Sequence, residues 1–474
     1  MRATFFAFEA AKSGLTAAQA GLDVTANNMA NQSTQGYSRQ VVDQASTQES
    51  GVRYKFAHNN SLSYSMGVDV KGIGQVRDQF LDLRYRNANA ENSSNNKTVG
   101  ILTDMEYVLD ETQTDGLNAM LHNFYTQLQT LSQNAGEIEF SSLTRSSAQK
   151  VAQSLNQYAA QLETIQKQEM NAIDINVKEI NTLLGKIDTV NNSIQVALLQ
   201  GNSVNELNDT RNLYLDNLSE YVDISVTSHT DGRISVKSGG QWLVDASNNI
   251  VAEVTVAGSA GNISFEADGN PLALQGGSLH GTLQVLNGYG SYAGADQSSF
   301  RGIPYYMNAL DDMANSLSDT FNTLNGSGKP LFTGNTASTI AISSQWLADA
   351  NYITATNDAG AEAGKNDNLL KMIEAMDAGR AISPFFSGSF DEFSISLMSD
   401  LAIDVSYHKD VAEASEAVMM SVSNQREAVM GVSVNEETVN LMKYQRAFEA
   451  ASRVITAMDE ALDILINRTG MVGR

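Results

Sequence analysis

Apolar residues recur at alternating steps of three and four at both ends of the chain. Phe8, Ala11, Leu15, Ala18, Leu22, Thr25 and Met29 form one such series; Leu441, Tyr444, Phe448, Ala451, Ile455, Met458, Leu462 and Leu465 form the other. Steps of three and four put side chains on one helix face, and over several turns they make the a/d seam of a heptad. The pattern predicts a helix at each terminus whose apolar stripe needs a partner. The segments 1–40 and 434–474 are expected to pack together or into a multichain assembly. Phe448 and Ile455 fall on successive a positions, with Glu449 expected on the solvent side.

Between the ends the period changes several times. Residues 41–75 alternate and carry turn residues, so extended structure is expected there. Helix-favouring text runs from Val76 to about Leu131, with breaks expected at Asn92-Ser93-Ser94-Asn95 and near Asp115-Gly116. A proline-free helical tract is predicted over 141–220, with Ile173, Val177, Ile180, Leu184, Ile187, Ile194 and Leu198 on one seam. The eleven-residue step from Leu162 to Ile173 is a four-residue stutter. From Val222 the period falls to two, and Asp231-Gly232, Gly239-Gly240 and Asp268-Gly269 read as hairpin turns. Helix resumes after Gly276-Gly277 to about Leu324. The stretch 330–400 reads as a loop-rich surface segment, and helix returns after Leu401 with a break at Gly431.

The expected fold class is therefore mainly α with an inserted β module, an α+β chain. Its domains are the terminal coiled-coil unit 1–40 and 434–474, a helical bundle from 41–221, 276–329 and 401–433, the β module 222–275, and the segment 330–400.

Composition narrows the chemistry. The 474 residues hold no cysteine and 4 prolines, where usage of about 5% would give about two dozen. A disulfide framework, a thiolate metal site and a cysteine nucleophile are excluded together. The net charge of −24 has the wrong sign for a general nucleic-acid binder. It is unevenly spread: residues 1–86 carry +2, 434–474 carry −1 and the centre −25. Near-neutral ends flanking an acidic centre suggest ends that pack against protein and a centre that faces solvent. A merely solvated acidic surface explains the centre equally well. No apolar run reaches the 18 residues of a membrane span, and Phe5-Phe6-Ala7-Phe8, interrupted by Glu9 and Lys12, is no secretory signal.

Candidate catalytic motifs fail one by one. His58, His122, His229, His280 and His408 are scattered, without the paired i, i+4 spacing of a metal site. Gly360–Lys365 is one residue short of a phosphate loop, and Gly72-Ile73-Gly74 lacks the third glycine and following helix of a dinucleotide fingerprint. No G-x-S-x-G elbow occurs. Catalytic residues, cofactors and metals are all expected to be absent.

The segment Ser13-Gly14-Leu15, Leu22 to Asn31 and Thr34-Gln35-Gly36-Tyr37-Ser38-Arg39-Gln40 joins a heptad helix to an asparagine cluster and a glycine turn. Asparagine side chains compete for backbone groups and favour turns, and Tyr37 and Arg39 then read as free to dock on a neighbour. This segment resembles the N-terminal signature of bacterial flagellar rod, hook and hook-associated proteins. Asn440–Ala451 is similar to the C-terminal motif of the same axial family. Asp78–Arg86, Asn205–Arg211 and Gly276–Gly281 resemble signatures of its hook-associated branch, with His280 where a small or acidic residue is expected. Hook and rod subunits are expected to be β-rich in the middle, whereas 95–220 reads as helical here.

The resemblance implies a structural subunit at the junction of hook and filament, exported by the flagellar type III route. It implies a homo-oligomer in a ring or helical layer, contacts with hook protein, a second junction protein and filament subunits, and a cytoplasmic export chaperone on the C-terminal helix. Neither nucleic acid nor membrane is an expected partner. The interface residues are expected to be Phe8, Leu15, Leu22, Met29, Asn28, Asn31, Gly36, Tyr37, Arg39, Leu441, Tyr444, Phe448, Ile455, Met458 and Leu462. Two alternatives stay open: another axial component, hook or distal rod, and an exported surface enzyme or adhesin that works through the β module.

Overall fold

The computed structural model describes residues 6–47, 67–109, 116–294, 298–358 and 364–468. His58, the expected break at Asp115, most of Gly360–Lys365 and the side chain of Leu465 lie outside that set.

Helix α1 (Phe6–Ala30) leads into an antiparallel pair, β1 (Gln40–Ser46) and β2 (Val68–Gln75), whose register shifts between Asp43 and Gln44. The bundle follows: α2 (Gln79–Leu109), α3 (Leu117–Gln133), α4 (Ile138–Leu199) and α5 (Asn205–Tyr221). At 62 residues, α4 is about 93 Å long. It buries Ile173, Val177, Ile180, Leu184, Ile187 and Ile194 on one face, while Leu198 at its end is 44% exposed. The tract expected to be helical over 141–220 is interrupted. Gly201 takes φ +73°, a left-handed conformation that turns the chain, and α5 begins four residues later.

The break expected at Asn92–Asn95 does not occur, and α2 runs through it. The side chains that could have captured the local backbone have other partners. Ser415 donates to Asn92 Oδ1 at 3.4 Å and Asn96 to the same oxygen at 3.1 Å, while Ser94 Oγ lies 3.0 Å from His280 Nδ1. Tertiary contacts thus remove the competition that makes such residues poor in helices.

The β module contains a four-stranded sheet, β3 (Ser225–Ser228), β4 (Ile234–Ser238), β5 (Gln241–Asp245) and β6 (Ile250–Val251), in sequence order. A second sheet holds β7 (Val254–Ser259), β8 (Asn262–Ala267) and β9 (Asn270–Leu272). Both sheets are antiparallel and lie against α4. Helices α6 (Ser278–Leu286) and α7 (Ile303–Asn325) return the chain to the bundle.

The segment 330–400 is core rather than loose surface. It holds β10 (Phe332–Thr333), β11 (Ala341–Ile342), α8 (Ser344–Ala348), α9 (Asp367–Asp377), β12 (Arg380–Ser383) and β13 (Phe386–Gly388). Trp346, Leu369 and Met372 are fully buried in the main core, and Phe321, Phe332 and Trp346 meet edge to face in series with ring centroids 6.1 and 5.9 Å apart. The strands and α8, at two to five residues, are too short for a readable period; α9 does carry one, Leu369, Met372 and Met376, set among the glycines and prolines that dominate the segment. Helix α10 (Phe390–Met430) starts eleven residues before the expected Leu401, at a capping box in which Ser389 and Glu392 satisfy each other's backbone N–H. It ends at Gly431, and α11 (Val434–Asp463) completes the fold.

Candidate functional site: the terminal helix pair and its polar base

Helices α1 and α11 pack along each other. Asn28 meets Glu437, and a Cβ on Gly21 would lie 2.5 Å from the Tyr444 ring. Moving seven residues back along α1 moves seven forward along α11, so the pair is antiparallel. Small residues make the close approach possible: Ala17, Ala18, Gly21, Val24 and Thr25 are buried, whereas the larger Phe8, Leu15, Leu22 and Met29 are half-buried at the flanks. On α11, Leu441, Tyr444, Phe448, Ile455, Met458 and Leu462 are all half-buried. One partner helix covers only part of this seam. Glu449 is not on the open face; it is half-buried and lies 3.6 Å from Arg446. Gln445 and Arg446 are the exposed positions there.

At the base of the pair the chain turns through Gly36, whose φ of +79° favours glycine and whose Cα faces Leu213. Asn31 caps locally, donating to the Asn27 carbonyl at 3.0 Å. Asn28 is 1% exposed and fully engaged: its Nδ2 donates to the Gln40 carbonyl at 2.9 Å and to Glu437 Oε2 at 3.2 Å, and its Oδ1 accepts from the Gln40 N–H and the Tyr37 hydroxyl. Tyr37 and Arg39, expected to be free for a neighbour, turn inward instead. Arg39 pairs with Glu436 at 2.7 Å, and its N–H donates to the Met430 carbonyl. Burial, followed by the charges of Asp209, Glu206 and Glu437, pushes the Tyr37 phenol up to about 12.

A charged cluster beneath this turn joins the pair to the bundle. Ser38 Oγ donates to Asp209 Oδ1 at 2.7 Å and accepts from Arg77 at 2.9 Å. Arg77 also pairs with Asp82 at 2.6 Å. Arg426, near the end of α10, lies over the Tyr85 ring and bridges Asp82 at 2.9 Å and Asp216 at 2.6 Å; Arg86 holds Asp216 from the other side at 2.8 Å. Burial raises the Asp209 carboxyl above its ordinary range, against the opposing pull of the Ser38 hydrogen bonds and Arg77. Periodicity could not find these residues, because they come from four separate parts of the chain: Ser38, 77–86, 209–216 and Arg426. Asp82, Tyr85, Arg86 and Asp209 fall within Asp78–Arg86 and Asn205–Arg211 and Ser38 within Thr34–Gln40, segments marked by resemblance; Arg77, Asp216 and Arg426 lie outside them. Among the described residues no group of three or more His, Cys, Asp or Glu is placed to hold a metal, and no helix is long and apolar enough to cross a membrane.

Comparison with known proteins matches this architecture. The family described as flagellar hook-associated protein FlgK helical domain matches residues 102–340, just over half of the chain. The chain belongs to the FlgK family. The FlgK-type bundle is flanked by two further matches, to the flagella basal body rod protein family over 8–37 and to the flagellar basal body rod FlgEFG protein C-terminal family over 426–468. These two cover the antiparallel pair. The flagellar hook-associated protein 1 of Bacillus subtilis is 29% identical, over 100% of both chains. That of Escherichia coli is 24% identical, over 96% of this chain and 98% of its own. The solved structure of the flagellar hook junction protein FlgK from Burkholderia pseudomallei shares the fold, with a TM-score of 0.60 over 73% of this chain and 100% of its own, at 13% identity.

Proposed function

We infer that this FlgK-family chain is a structural subunit of the bacterial flagellum, forming the junction between hook and filament and assembling through its terminal helices. The observation that carries this reading is the α1/α11 pair, which stands outside the main core with its apolar seam only half covered. Val439, Met442 and Val454, off the seam of α11, are 60%, 52% and 46% exposed. Burying a residue of that size contributes roughly 1.5–3 kcal/mol, so packing many pairs side by side stabilises a tube that a lone chain cannot form.

The same reading makes the chain a member of a homo-oligomeric ring or helical layer, touching hook protein on one side and a second junction protein and filament subunits on the other. The exposed α11 face also suits a cytoplasmic chaperone that covers it before export by the flagellar type III route. The task is mechanical and asks for no catalytic group. Gold-labelled antibody against this chain, applied to isolated flagella, should mark one band at the hook–filament boundary. Label along the whole filament, along the hook or over the cell body would overturn the assignment.

A further inference from the structure

A cavity of about 650 Å³ lies between the start of α2, helix α5 and strands β3 and β4. Its rim and one wall are apolar: Phe80 and Leu83 are 63% and 44% exposed, and Val226 and Ile234 come from the sheet. Arg77, Arg86 and Arg211 also line it. The surrounding charge cluster contains four arginines (77, 86, 211 and 426) and three aspartates (82, 209 and 216). All three aspartates are bound by Arg77, Arg86 and Arg426. Arg211 has none.

Arg211 is 9% exposed; its guanidinium donates to Asn191 Oδ1, the Gly232 carbonyl and Asn208 Oδ1, and its Nε has no partner among the described residues. Neither nearby carboxylate pairs with it: Asp231 is held by Arg233 at 2.6 Å, and Glu206 accepts from the Gln40 side chain at 3.4 Å. Burial and then the like charges of Arg86 and Arg77 depress Arg211 to about 10. A buried cation without a counter-charge is costly. Asn208 and Asn212, both lining the cavity, give their carboxamide oxygens to Arg211 and Arg86. That fixes their orientation and leaves their amide N–H groups as donors for a ligand.

We propose that this cavity is a binding site for a single carboxylate on a short apolar body, with Arg211 as its counter-charge and Asn208 and Asn212 as its donors. Arg211 is the one arginine of the cluster without an aspartate, and three aspartates stand close by, which favours a monoanion over phosphate. The carboxylate belongs either to a free acid or to an Asp or Glu side chain of a second copy of this chain.

The test is the melting of the full chain in sodium butyrate against sodium chloride at equal ionic strength. Butyrate should give a saturable rise of about 2 °C or more. Arg211→Gln should abolish the rise. Because that variant risks misfolding, Ser228→Asp, at an exposed strand position on the cavity edge, provides an internal carboxylate; it should melt higher in chloride and lose the response to butyrate. Equal melting of the parent chain in both salts, or a full butyrate response in folded Ser228→Asp, would overturn the proposal. Self-assembly weakened by butyrate assigns the carboxylate to a neighbouring copy, and assembly unchanged despite binding assigns it to a free acid.

Discussion

His280 shows how one side chain's role depends on what covers it. It stands on α6 with Nδ1 3.0 Å from Ser94 Oγ, and burial holds its pKa below the ordinary 6.5, with Asp223 pulling weakly the other way. His408 on α10 is lowered for the same reason, against Asp404. A depressed histidine pKa means that between the folded and unfolded values the unfolded chain binds more protons. Stability from this source is complete above pH 6.5 and is lost as the pH falls below it. The melting midpoint of the chain should therefore drop on acidification from pH 7 towards pH 5, and His280→Gln should flatten that slope. A slope unchanged in His280→Gln would mean that the α2/α6 contact does not sense this proton.

At the scale of elements, two close approaches decide the packing. Helix α6 begins at Gly277, whose φ is +86° and whose N–H donates to the Ala90 carbonyl at 2.8 Å; an added Cβ would meet the Tyr221 carbonyl oxygen at 2.2 Å. Strain and overlap act together there, so Gly277→Ala should cost on the order of 3 kcal/mol in denaturant unfolding. A loss below 0.5 kcal/mol, roughly what a neutral surface change gives, would show that the backbone yields. The second approach is α1 on α11. Phe448→Asp places a carboxylate in the seam, which costs several kcal/mol per subunit, while the bundle, which does not use that stripe, should fold normally. Cells with Phe448→Asp should build hooks, shed filament protein into the medium and carry no filaments. Gln445→Glu, on the exposed face, should behave as the parent. Normal filaments in Phe448→Asp would reject the terminal seam as the assembly element.

For the whole molecule, the main core cluster runs from Ile101 to Val405 and contains no described residue of α1 or α11. The terminal pair is tied to the bundle by Ser38–Asp209, Arg39–Met430 and the Arg77 cluster, contacts that are mostly polar and set near one end of each helix. Regions with few buried apolar contacts open first. Limited proteolysis of the purified monomer should therefore remove roughly the first 40 and last 40 residues and leave the bundle with its β module intact. Protection of α1 and α11 equal to that of α4, read by hydrogen exchange, would contradict this division.

The terminal helices themselves, the seam of α4, the hairpins at Asp231-Gly232 and Asp268-Gly269, and the stop at Gly431 were legible because each rests on neighbours within a few positions: a helical or strand period, or a glycine where the backbone needs one. The stripe that α1 buries runs instead through its small residues Ala17, Ala18, Gly21, Val24 and Thr25. Tertiary structure alone decided four other things. It carried α2 through Asn92–Asn95 by giving those side chains distant partners, and it drew 330–400 into the core through Trp346 and Leu369. It turned Tyr37 and Arg39 inward to Asn28 and Glu436. It also gathered Arg77, Arg86, Arg426 and their three aspartates, leaving Arg211 without one. Each of these rests on hydrogen bonds, ion pairs or burial between residues far apart in the chain. Local periodicity records which face of an element is apolar, but not which distant group will satisfy its polar atoms.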